Sequence, residues 1–328
     1  MSIFKDTQYL NPKYQHLDKY CDMMYKSFWT PAAYKSLIER QDVPHFKNKL
    51  SYVDQEAVRR SILAIAIVED KVKSFWLNVH RDLPQTVVSD VGALFGAQEV
   101  THRKSYHHLV ECLDIDVEDI HKHPATRGRV KYLEKYLEED PKIIGKKRVL
   151  KRLILFTALV ERISLFTQFY ILTSFSHNNK GLNAIAALQK STAQEELFMH
   201  YAFGLDLINI IKEEHPQVWD EYLIEHISDN IKESYDAERR IIDWFFEEGV
   251  PEHLTKEEVV NFLNYNFHEL DKDLGLNLGY DYDRELFEEK NNWFNIRING
   301  LTNSDFFVAE IGNYSGEKEE IDLEEFNF

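Results

Sequence analysis

The stretch KRLILFTALVERISLFTQFYILTSF, residues 151–175, has no glycine or proline and repeats its apolar residues at helical spacing. Ile154, Ala158, Glu161, Leu165, Phe169 and Leu172 follow one another at offsets of three or four, so they share one face of a helix. Glu161 is the one carboxylate on that face. A buried, unpaired carboxylate costs several kcal/mol and takes up a proton instead. The segment therefore predicts a core helix whose acid is compensated by something outside the helix.

Three more segments repeat the anomaly. In SILAIAIVEDKVKSFW, residues 61–76, the apolar stripe Ile62, Ile65, Ala66, Val72 and Trp76 contains Glu69. Around QEVTHRKSYHH, residues 98–108, Phe95, Glu99, His102, Tyr106 and Leu109 share a face while Arg103 and Lys104 point elsewhere. In IAALQKSTAQEELFMHYAFGLDLI, residues 185–208, the stripe runs Ile185, Gln189, Ala193, Glu196, His200, Phe203 and Leu207. His107 and His108 fall off the face and read as surface residues; Asp70, Glu111 and Glu195 read as lying outside the ligand set. The order is Glu69, then Glu99 with His102, then Glu161, then Glu196 with His200, a duplicated half-site. Dimetal carboxylate bundles build their centre this way, with a Glu from each of two helices and a Glu/His pair from each of two others. The expected cofactor is two metal ions per chain, and oxygen plus imidazole donors suit iron or manganese better than structural zinc.

Composition agrees with a folded, helical chain. Of 328 residues, 44% are hydrophobic and 13% aromatic, too rich in core formers for a disordered protein. Only 12 Gly and 8 Pro interrupt it, and helices are expected over about 52–80, 88–113, 128–139, 147–176, 182–212, 217–247 and 255–275. A net charge of −17 argues against a nucleic-acid partner, because phosphate binders carry a Lys/Arg excess. Cys21 and Cys112 form no close pair, so neither a disulfide framework nor a zinc knuckle is suggested. The apolar run ILAIAIV is far shorter than a membrane span, and MSIFKDTQY lacks a signal-peptide core; a soluble cytoplasmic protein is expected. The fold class is therefore all-α, with one helical domain over residues 1–314 and an acidic tail, SGEKEEIDLEEFNF, over 315–328, too sparsely apolar to bury itself.

With these residues in place, the chain resembles the radical-generating small subunit of class I ribonucleotide reductase, a ferritin-like helical bundle. EVTHRKSYHH carries the resemblance, because the family places a radical-bearing tyrosine four residues after the His of its first Glu-x-x-His, here Tyr106 after His102. HYAFGLDLIN and DFFVAEIGNYS are similar to family segments as well. The resemblance implies a dimetal centre that oxidises Tyr106, a homodimer, and a large catalytic subunit that reduces ribonucleotides and is gripped by the C-terminal tail. It also implies radical transfer through Trp29, in SFWTP, through Glu195, where the family usually has Asp, and through Tyr314. With 68 residues before the first ligand, no nucleotide-sensing domain is expected ahead of it.

Two departures from the family stand out. The first ligand is Glu69, where many members have Asp. The last pair is Glu196 to His200 at an offset of four, or Glu195 to His200 at five, where the family has three. One added residue rotates everything after it by about 100° unless a bulge absorbs it. A wide, π-type turn is therefore expected between Gln194 and Phe203, with Glu196 toward the metal and Glu195 behind it. Two other readings stand beside the main one: a ferritin-like oxidase or hydroxylase with its own substrate, and a storage or structural bundle whose inward acids are met by Arg or Lys.

Overall fold

The computed structural model describes residues 2–6, 11–117 and 122–299, and these are helical and connected by short loops. Three short helices come first: α1 (Lys19–Ser27), α2 (Ala32–Leu37) and α3 (Val43–Lys49). The bundle proper begins with α4 (Tyr52–Asp82) and α5 (Thr86–Cys112). After α6 (Pro124–Leu133), two interrupted helices follow: α7 (Lys146–Leu155) with α8 (Phe166–His177), and α9 (Asn183–Glu195) with α10 (Ala202–Glu214). Helices α11 (Glu221–Phe245), α12 (Lys256–Leu274) and α13 (Asn292–Asn299) complete the described chain.

Local chemistry sets several boundaries. Ser51 and Asp54 form a reciprocal capping box at the start of α4, and Thr255 with Glu258 does the same for α12. Pro124, in a segment expected to be a connection, instead occupies the first turn of α6, where its missing N–H is no loss. The expected helix over 128–139 ends earlier, at Leu133, and a 3₁₀ turn covers Lys135–Leu137. The helices at 19–49 and 292–299 were not anticipated, because each is too short to show a clear period.

Two long expected helices are not continuous. The run 147–176 contains a π stretch at Phe156–Ile163, and the run 182–212 contains one at Glu196–Tyr201. The second is the wide turn that the added residue in QEELFMH predicts; the first has no sequence signature. The two stretches pack against each other, and α4 lies against both α5 and α8. Helices α4 and α5 approach closely because Gly92 and Gly96 have no side chain: a Cβ on Gly92 would lie 2.5 Å from the Trp76 carbonyl oxygen, and one on Gly96 would lie 2.4 Å from Leu77 Cγ. Among the described residues, no helix is long and apolar enough to cross a membrane.

Candidate metal centre

Four helical segments converge on one buried cluster. Helix α4 supplies Glu69, α5 supplies Glu99 and His102, the first π stretch supplies Glu161, and the second supplies Glu196 and His200. Each is at most 1% exposed. One oxygen or nitrogen from each of Glu99, Glu161, Glu196 and His200 lies within 4.8 Å of the others, and the same holds for Glu69, Glu99 and His102. Glu99 belongs to both groups. Glu196 also spans them: its Oε1 is 3.1 Å from His102 Nδ1 and its Oε2 is 3.1 Å from His200 Nδ1.

The residues fit a pair of cations. Both carboxylate oxygens of Glu69 are fully buried with no hydrogen-bond partner among the described residues, and the buried Glu99 carboxylate has its Oε1 3.1 Å from His200 Nδ1. Burial drives Glu69 and Glu161 well above the ordinary carboxylate range. Burial alone would raise Glu196 too, but the His200 charge and its hydrogen bonds hold it well below. Both imidazoles are raised despite burial, because carboxylates surround them. The cluster thus gathers protons to lower its negative charge, and metal ions at the same oxygens would do this more strongly. Six oxygen and imidazole donors with no thiolate match iron or manganese.

A second layer orients these groups. Glu195 Oε2 lies 2.8 Å from His102 Nε2 and accepts from Gln98 Nε2 at 2.7 Å and Trp29 Nε1 at 3.0 Å. A carboxylate at Nε2 keeps the proton there and turns the Nδ1 lone pair toward the cluster. Trp29 also stacks on His102, with centroids 5.7 Å apart and planes at 25°. On the other flank, Trp76 Nε1 donates to Glu161 Oε1 at 2.7 Å. Among the described residues, His200 Nε2 has no hydrogen-bond partner; its ring packs on Phe95 at 4.3 Å and Trp76 at 6.0 Å. Gln98 and the polar role of Trp76 were missed: Trp76 reads as a plain core residue, and only the fold shows where its N–H points.

Tyr106 is fully buried, one turn beyond His102, and its hydroxyl donates to Gln189 Oε1 at 2.7 Å. Burial pushes the phenol well above its ordinary range, so it stays protonated. Leu109 is fully buried on the same helix, whereas Phe203 packs on Phe95, Trp76 and Tyr20, on the His200 flank. His108 sits near the surface, 3.3 Å from Glu39. Glu111 is exposed. Tyr314 and the acidic tail lie outside the described residues.

Comparison with known proteins bears on this geometry. The sequence profile described as "Ribonucleotide reductase, small chain" matches residues 6–289. The ribonucleoside-diphosphate reductase subunit beta of Chlamydia pneumoniae is 26% identical over 152 residues; the match spans 43% of this chain and 43% of that one, less than half of either. In fold, the chain is similar to a putative class I ribonucleotide reductase from Bacillus halodurans, with a TM-score of 0.74 at 15% identity over 86% of this chain and 99% of that one. It is similar also to the dimanganese(II)-NrdF of Streptococcus sanguinis, with a TM-score of 0.72 at 17% identity over 89% and 99%. An R2-like ligand-binding oxidase is more distant, with a TM-score of 0.64 at 14% identity over 80% and 93%.

Proposed function

Because the chain belongs to the ribonucleotide reductase small chain family, we propose that it is the radical-generating small subunit of a class I ribonucleoside-diphosphate reductase. The observation that carries this reading is the pair of overlapping ligand groups sharing Glu99, with a buried tyrosine one turn from His102. Glu69, Glu99, His102, Glu161, Glu196 and His200 would hold two ions, iron or manganese. Once loaded and activated by an oxidant, the ion pair supplies one-electron oxidising power.

The chain's own residues do the rest. Tyr106 is the residue to be oxidised; its burial excludes water and reductants, and Gln189 holds its hydroxyl in place. Glu195 keeps a proton on His102 Nε2 and holds the Trp29 indole N–H on the same oxygen. These contacts support Trp29 and Glu195 as the first members of a radical-transfer route, with Tyr314, outside the described residues, as its candidate at the interface end. The large catalytic subunit is the partner, gripped by residues 315–328, and the small subunit works as a homodimer in a reducing compartment such as the cytoplasm. A dimetal oxidase acting on its own substrate is the second reading, supported by the likeness to the ligand-binding oxidase fold.

Low-temperature electron paramagnetic resonance with metal quantification, on protein loaded separately with iron and with manganese, tests the reading. Two ions per chain and a tyrosyl signal after oxidation are expected. Removing residues 315–328 should leave both intact and abolish turnover with the large subunit. Turnover of a substrate by the small subunit alone would favour the oxidase instead.

A further inference from the structure

A set of aromatic rings leads from the cluster toward the surface on the flank away from Trp29. Trp76 is fully buried and donates its indole N–H to Glu161. Its ring meets Phe75 at 5.1 Å and Phe156 at 5.7 Å, nearly edge-on to both. Phe75 and Phe156 stack face to face, 3.7 Å apart with 7° between their planes. Tyr136 also meets both rings of that stack, 5.6 Å from Phe75 and 5.2 Å from Phe156, again edge-on. The four rings form one continuous contact from Glu161 to Tyr136.

Tyr136 is 7% exposed and, with Phe75, helps to line a surface cavity of about 300 Å³. Ser74, Asn78, Asp82 and Arg152 supply polar walls. Arg152 is paired with Asp82 at 3.2 Å, and Arg81 adds a second guanidinium to the lining, so the polar wall carries a net positive charge that neutral or anionic small molecules can approach. Its volume suits a small molecule. Tryptophan and tyrosine are the side chains in this row that lose an electron readily; the phenylalanines fill the space between them and keep the contact unbroken.

We propose that Trp76 and Tyr136 form an electron-entry route from this cavity to the metal cluster, and that the cavity takes small hydrogen-atom donors such as enediols and hydroxamic acids. The proposal rests on the reading that the cluster holds a redox-active ion pair. Trp76 gives one electron to the oxidised centre, and its N–H stays on Glu161. Tyr136 then gives one electron to Trp76; the phenol O–H bond breaks and its proton passes to water in the cavity. The donor restores Tyr136 by transferring one hydrogen atom to the phenoxyl oxygen. In sum the donor loses one hydrogen atom, the centre gains one electron and one proton enters the solvent. Burial raises the Tyr136 phenol, so it rests protonated between events.

The test uses the full chain, loaded with metal and oxidised, with ascorbate and separately acetohydroxamic acid as donors. The readout is the decay of the radical and oxidised-centre signals in electron paramagnetic resonance, not turnover. Tyr136→Phe removes the oxidisable hydroxyl while keeping the ring; Ser74→Trp, at an exposed wall position, fills the cavity mouth. Each should slow donor-driven decay by about tenfold or more and leave the spontaneous lifetime without donor unchanged. Donor-driven decay within twofold of wild type in both variants overturns the route. A proportional change in the spontaneous lifetime also overturns it, since the rings would then be packing alone. Failure of the wild-type chain to form any oxidised centre with either metal removes the underlying reading, and the route with it.

Discussion

Replacing Glu195 with Gln separates the residue behind the metal from the residues on it. The side chain is 1% exposed, and its Oε2 faces three N–H groups, on His102, Gln98 and Trp29. Among the described residues its Oε1 has no partner, so an amide can keep its oxygen on the three donors and place its nitrogen at the Oε1 position. There the NH₂ group finds no acceptor, a cost of about 1–3 kcal/mol, and three charge-assisted bonds become neutral ones of roughly half the strength. Against this, a buried charge is removed, so metal-free stability should change by no more than about 2 kcal/mol. Metal binding should respond more. Losing the carboxylate behind a ligating histidine typically costs about 10- to 100-fold in affinity, or about 1.4–2.7 kcal/mol. The loss should fall on the ion held by His102, with the ion at His200 affected less. Equilibrium titration of metal-free protein with Mn(II), following free Mn(II) by its resonance signal, resolves the two ions. Glu196→Gln, measured in parallel, should weaken both, because Glu196 reaches both histidines. Unchanged affinity in Glu195→Gln, or greater damage there than in Glu196→Gln, would refute the assignment of the two roles.

Other outcomes follow from the same geometry. Glu161→Ala should remove at least one ion, and stoichiometric metal at both positions by elemental analysis would show the site to be misplaced. Tyr106→Phe should retain both ions and lose the tyrosyl signal and the reductase activity; an unaltered tyrosyl spectrum would move the radical elsewhere. Gly92→Ala places a methyl 2.5 Å from the Trp76 carbonyl oxygen, a backbone atom within α4 that cannot yield alone. Overpacking of this kind costs about 1–3 kcal/mol, less about 1 kcal/mol of gained helix propensity. Urea denaturation of the metal-free protein should show the net loss, and equal or greater stability would mean that α4 and α5 separate freely.

Periodicity alone carried the sequence a long way in this protein. A helix repeats every 3.6 residues, so an acid at stripe spacing faces the core whatever the rest of the fold does. That is why Glu69, Glu99, His102, Glu161, Glu196 and His200 were legible as inward groups; the wide turn before His200 was announced by the family resemblance, whose three-residue spacing shows one residue added here. Periodicity is also why the short helices before Ser51, and the start of α6 at Pro124, were not legible. The wide turn at Phe156–Ile163 left no trace in the sequence, since no motif of known spacing runs through it. What the tertiary structure alone decided is which inward groups meet. Trp76 and Glu161 are 85 positions apart, and Trp29 and Glu195 are 166 apart. Periodicity is a property of one helix, and it says that a side chain points inward without saying toward whom. The partners depend on how helices cross, on the spacing that Gly92 and Gly96 allow, and on the two bulges that bring Glu161 and His200 to the same point.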